Sequence, residues 1–285
     1  MAVYEQTYRR YTGELTPERR RFLIPLRYAG KEVFASKLVL LLFAAAGLYA
    51  VASMVFIYLT HNLEALKALN VQLGQLRIDN LFFETFVRVE CGFATLLALL
   101  IGPGLIAPDL RNNALPLYFS RPFTRSEYVV GKLSLLLLLL STITWIPGLL
   151  LFLLQASLAD AGWTGAHLGL AWAIFAASAE WIVVLSLLTL AISAWVKWKP
   201  IARISLLMTL YIFQGFAKVV HGILGTHWGQ VLSVEELDSV IRGSLFDGSA
   251  PEGLPAGVAW VTLALISLLL LSVLYRRIRA YEVVR

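Results

Sequence analysis

The sequence predicts an all-α integral membrane protein. It should have six transmembrane helices, an amphipathic interfacial helix before the first, and both ends on the cytoplasmic side. Three observations lead there. Six long apolar runs recur along the 285 residues, and about 20 apolar residues as a helix cross a bilayer core of roughly 30 Å. The composition is 59% hydrophobic and 15% charged with a mean hydropathy of +0.74, too apolar for a soluble domain of this length. Lysine and arginine alternate between crowded and sparse segments, as the positive-inside rule requires of a chain that crosses repeatedly.

Residues 1–37 form a polar, basic N-terminal segment. Within it, 22–37 sets Phe22, Leu23, Leu26, Val33 and Phe34 against Arg27, Lys31, Glu32 and Lys37 at roughly helical spacing. That pattern fits a helix lying in the interface plane, and also fits a basic juxtamembrane stretch with no fixed role. One membrane domain, 38–275, follows, with spans expected at 38–60, 85–107, 129–154, 168–196, 201–224 and 255–275. The fourth and fifth spans are joined only by Lys197-Trp198-Lys199-Pro200. A tight turn is expected there, since proline lacks the N–H and biases its predecessor out of the helix. Residues 276–285 are a basic tail.

Counting Lys and Arg orients the chain. Segment 1–37 has eight, 61–84 two, 108–128 three, 155–167 none, and the tail four, while 225–254 has only Arg242. Both ends and the 108–128 loop are therefore expected in the cytoplasm, in a bacterial or archaeal inner membrane. Trp163, Trp172, Trp228 and Trp260 fall near the outer ends of spans, and Trp195 and Trp198 near an inner end, as an aromatic belt would place them. The net charge of +6 follows this topology and does not call for nucleic acid. The N-terminus lacks a short apolar stretch ending in a small-residue cleavage site, so no signal peptide is expected. A lone Cys91 excludes an intrachain disulfide framework.

Residues 102–132, GPGLIAPDLRNNALPLYFSRPFTRSEYVVGK, are the most informative stretch. Ala107-Pro108-Asp109 should end the second span. A short helix is expected over 112–119, with Leu115, Leu117, Tyr118 and Phe119 as apolar contacts. Thr124 and Ser126 are candidate caps for the next helix, and Gly131 would permit close packing at its start. The order Asp109-Leu110-Arg111, Ser120-Arg121-Pro122, Arg125, Tyr128, Gly131-Lys132 resembles the cytoplasmic loop of ABC-2 type transporter permeases. There an acidic-basic turn precedes a "lllsRPvsR..y..gK"-like segment just before the third span. The resemblance covers about 30 residues. It implies a permease subunit that meets ABC ATPase subunits through Asp109, Arg111, Leu115, Tyr118, Phe119, Arg121, Pro122, Arg125, Tyr128 and Lys132. It further implies a second permease copy, identical or related, and export as the direction. The chain has no GxxxxGK[ST] phosphate loop. No cofactor is expected on this chain, and ATP and Mg belong to the partner ATPase.

Ionisable residues inside spans are costly, roughly 2.5–3.5 kcal/mol each on insertion scales. Arg88, Glu90, Glu180 and Lys218 are such residues. At about 1.5 Å per residue, Glu90, Glu180 and Lys218 lie roughly 22–26 Å from the inner boundary. Lys218 is expected to pair with Glu180 or Glu90, with Gln214 one turn away on the same face, and Glu84 with Arg88. Such a patch either lines a translocation path or locks spans together. Outside the spans, 64–76 and 234–245 are amphipathic, the latter with Ser233 and Glu236 set for a capping box. They serve as lids or as plain interfacial connectors.

His61, His167, His221 and His227 map to the outer side without metal-ligand spacing. Pro147-Gly148 should kink the third span, as a hinge or as static packing. No hydrolytic motif occurs. The main expectation is thus a permease subunit without its own ATPase site. A second is an ATP-driven mechanical or signalling complex acting on an outer-side protein. A third is a membrane enzyme acting on lipids, disfavoured by the missing acid-base and nucleophile sets.

Overall fold

A computed structural model describes residues 23–62, 78–120, 124–160, 162–225, 227–246 and 253–278. Among the described residues all regular structure is helical. In chain order the helices are α1 (Leu23–Phe34), α2 (Lys37–His61), α3 (Asn80–Ile101), α4 (Ala107–Arg111), α5 (Leu115–Phe119), α6 (Arg125–Ser141) and α7 (Trp145–Leu158). They continue as α8 (Trp163–Ala166), α9 (Leu168–Trp195), α10 (Lys199–Leu224), α11 (Val234–Phe246) and α12 (Ala256–Arg277). Short 3₁₀ turns cover Gly102–Gly104 and His227–Leu232.

Six helical segments are long and apolar enough to cross a membrane: Lys37–His61, Asn80–Arg111, Arg125–Leu158, Leu168–Trp195, Lys199–Leu224 and Ala256–Arg277. The chain is therefore read as a multi-pass membrane protein. Each expected span corresponds to one segment; the second and third run four or five residues further at both ends, and the others agree within two residues. The amphipathic piece expected at 64–76 lies outside the described residues.

α9 is the hub. It packs against α3, α6, α7, α11 and α12, and 78% of its most apolar stretch is buried, against 17% in α10 and in α12. The reason is its sequence. Ala173, Ala176, Ala177, Ser178, Ser186, Ala191, Ser193 and Ala194 are all buried, and small residues let neighbouring helices come close without a lipid-exposed face. Trp181 ties α9 to α3: its Nε1 donates to the Cys91 carbonyl at 3.3 Å and to Thr95 Oγ1 at 3.2 Å.

The third span is not one helix. It stops at Ser141 and restarts at Trp145, with a turn over Thr142–Thr144. The break thus lies one turn ahead of the expected kink at Pro147-Gly148. Pro147 falls in the first turn of α7, where its missing N–H costs no bond, and its ring would clash with the carbonyl four residues earlier. Gly148 is needed for packing: a Cβ there would lie 2.7 Å from Ile174 of α9.

α11 is no plain connector. Leu237, Val240 and Ile241 are buried among α9, α10 and α12, and Ser233 Oγ accepts the Glu236 N–H at 3.3 Å. The loop between α3 and α6, the 196–198 link and the end of α12 all gather at one end of the bundle. Arg111 lies over the Trp198 ring at 5.4 Å and Arg277 over Trp195 at 5.0 Å. α1 packs on α6, with Val33 inside and Lys31 and Glu32 exposed.

Candidate functional site

The loop after the second span is built from two short helices rather than the one expected over 112–119. Pro108 and Pro116 each stand in the first turn, where proline is tolerated. A helix running from 112 would place Pro116 where it removes the bond to the Asn112 carbonyl and clashes with it. The chain instead closes α4 with Asn113 in the left-handed region (φ 50°). The Ala114 N–H donates to the Asp109 carbonyl at 2.8 Å and the Asn113 N–H to Leu110 at 3.4 Å. This is a Schellman stop, and asparagine tolerates it better than most residues.

The root of the loop is held by a residue that sequence reasoning missed. Ser193 Oγ, buried on α9, accepts the N–H groups of Ile106 at 3.3 Å and Ala107 at 3.0 Å. It caps α4 from another helix, meeting donors that a helix start leaves unsatisfied. Its only signal was a serine near the end of an apolar run. Gly102 also belongs to this root, because a Cβ there would collide with the Thr189 side chain.

A clasp fixes the loop onto the third span. Tyr128 Oη donates to Asp109 Oδ2 at 2.6 Å, and Lys132 Nζ stands 3.1 Å from the same oxygen. Lys132 also lies over the Tyr128 ring at 5.4 Å, and Tyr118 and Phe119 of α5 pack on that ring at 5.6 and 6.4 Å. At the start of α6, Thr124 and Glu127 form a full capping box.

The clasp divides the motif residues into two groups. Leu115, Tyr128 and Lys132 are buried and Asp109 is nearly so, so these act inside the loop. Arg111, Leu117, Tyr118 and Arg125 face outward, with Leu117 73% exposed. Phe119 is half-buried. Arg121 and Pro122 lie outside the described residues. Of the residues expected to meet a partner, Asp109 is thus turned into the loop, while Arg111 and Arg125 stay at the surface beside the exposed Leu117.

The intramembrane charges assemble differently from expectation. Glu180 faces Asp238 and Arg242 of α11, and Arg242 pairs with Asp238 one turn away. Burial pushes the Asp238 carboxyl up to about 6 while Arg242 pulls it down. Lys218 is exposed on α10, and among the described residues it forms no ion pair; nor does Arg88 with Glu84. Glu90 is fully buried, and neither of its oxygens has a hydrogen-bond partner among the described residues. Gln214 is half-buried. The sequence singled out Glu180 but missed Asp238 and Arg242, because α11 looked like a surface connector. The cluster borders a cavity of about 370 Å³ between α3, α9, α10 and α11, walled by Trp181, Leu206, Leu210 and Tyr211.

Among the described residues no group of histidine, cysteine, aspartate and glutamate is arranged to hold a metal. Comparison with known proteins yields no matching family model and no matching curated relative.

Proposed function

We propose that this chain is the permease subunit of an ABC-2-like transporter, driven through the 108–128 loop by a separate ATPase. The observation that carries the reading is the loop itself. Its internal clasp, Asp109 with Tyr128 and Lys132, makes it stiff, and Leu117 and Arg125 are left projecting from it. A stiff protrusion with an apolar tip and basic flanks suits transmission of force from a soluble motor. The charge count supports N-in/C-in topology with the loop in the cytoplasm. It also supports placing α1 in the interface, its exposed Lys31 near lipid phosphates. ATP and Mg then belong to the ATPase, and a second permease copy completes the path. Export is the direction that the resemblance implies, and a bacterial or archaeal cell membrane is the setting.

The test is co-purification from native membranes with a tagged full-length chain. An ATPase should be retained, and Leu117→Asp should reduce its retention at least roughly ten-fold while the permease still folds, because a charge is buried at the contact. Recovery of the intact chain without any ATPase sinks the reading. Stimulation of the complex's ATPase by a candidate substrate then separates transport from a purely mechanical role.

A further inference from the structure

At the loop end of the bundle, a second cavity of about 460 Å³ opens between the root of α4 and the start of α10. Arg111, Lys197, Lys199 and Arg203 line it, together with Pro108 and Trp198. No acidic residue lines it among the described residues. Four cations around one space repel one another unless an anion joins them.

Arg203 makes the case sharper. It lies one turn inside α10 and is partly buried. Among the described residues its only hydrogen bond is a long one, Nη2 to the Leu100 carbonyl at 3.4 Å. Its Nε is buried and has no partner among the described residues. A guanidinium N–H withdrawn from water and left unpaired is costly unless an anion fills it. The N-terminus of the 26-residue α10 opens into the same space, and its N-cap Trp198 supplies no side-chain cap. Pro200 has no N–H, and the amides of Lys199 and Ile201 with the helix dipole add a partial positive charge there.

The place of the cavity selects the anion. The 196–198 link joins two spans, so the cavity lies at a membrane boundary, where lipid headgroups are at hand. On neighbouring faces of the same first turns of α10, Ile201 and Ile204 are 51% and 58% exposed, so apolar surface for acyl chains lies close by. We propose that this cavity binds the phosphate of an anionic glycerophospholipid. Arg203 is the inner anchor. Arg111, held over the Trp198 ring, and Lys197 and Lys199 close the rim. The inference needs only the membrane-boundary position of the link and does not depend on an ATPase partner.

Native mass spectrometry of the full-length protein in a neutral detergent tests it, with phosphatidylglycerol, phosphatidylcholine and inorganic phosphate as probes. Phosphatidylglycerol should be retained at concentrations at least about ten-fold below phosphatidylcholine, the equivalent of one charge-assisted contact. Arg203→Gln should remove that preference, and Lys218→Gln, on an exposed site elsewhere on α10, should keep it. Should Arg203→Gln fail to fold, the exposed pair Lys197→Gln/Lys199→Gln should weaken retention several-fold. Equal retention of the two lipids overturns the proposal, as does retention unchanged in both the Arg203 and the lysine variants. Inorganic phosphate binding as tightly as the lipid would also overturn it, leaving an anion site with no lipid specificity.

Discussion

Replacing Asp109 by asparagine tests whether the clasp holds the loop. The carboxylate accepts the Tyr128 hydroxyl and neutralises Lys132. Asparagine can still accept from Tyr128, but it leaves an ammonium with 10% side-chain exposure and no counter-charge. Breaking a buried ion pair by removing one partner costs about 3–5 kcal/mol. Asp109 keeps 17% side-chain exposure, so a cost below that range, about 2–3 kcal/mol, applies here. The cost falls on loop opening, which hydrogen exchange reads directly at the amides of Asn112, Ala114 and Ser120, all bonded within the loop. Their protection should drop by roughly 30–150-fold. Tyr128→Phe removes one charge-assisted bond and should cost about ten-fold. Adding Lys132→Met to Asp109→Asn should restore most of the protection, since an apolar residue of similar length needs no counter-charge. A change under about three-fold in Asp109→Asn, or a double variant no better than the single one, would refute the argument that this pair sets the loop's stiffness.

Four further outcomes follow from other parts of the molecule. Arg242→Met should destabilise the protein by roughly 3 kcal/mol by leaving Asp238 and Glu180 facing each other unpaired. Lys218→Gln should stay within about 0.5 kcal/mol, and a larger loss in Lys218→Gln would restore the pairing read from the sequence. Asp238, with its pKa raised from 3.8 to about 6, binds a proton more readily when folded than when unfolded. The Asp238 contribution to thermal stability, read as the difference between the unaltered protein and Asp238→Asn, should therefore rise as pH falls through 6 towards 4. Arg242, Glu180, Glu235 and Glu84 face the position in both proteins. Gly102→Ala should cost roughly 1–3 kcal/mol by overpacking against Thr189, and Thr189→Ser should recover most of the melting temperature lost.

The number of crossings, their order and the tight fourth-to-fifth link were legible in the sequence. In a bilayer the backbone must satisfy its own polar groups, so a long apolar run leaves few structures open to it. The loop was legible only as a string. Pro116 was visible, yet its consequence was missed, because a single-helix reading ignored where the ring would stand. The alternation of Lys and Arg pointed to a shared side for the ends, the loop and the link, and the contacts Arg111–Trp198 and Arg277–Trp195 bring three of those regions together.

What the sequence could not determine is which polar groups meet. Depth along a helix axis aligned Glu180 with Lys218, but depth carries no information about rotation or neighbour order. Packing turned Glu180 towards α11, where Asp238 and Arg242 wait, and left Lys218 outside. Ser193 reaches the α4 root across 86 residues of chain, and among the described residues Arg203 forms no ion pair with an acid. Apolar periodicity acts locally and is written residue by residue along the chain. Electrostatic partners are chosen by helix rotation and docking, which only the assembled bundle decides.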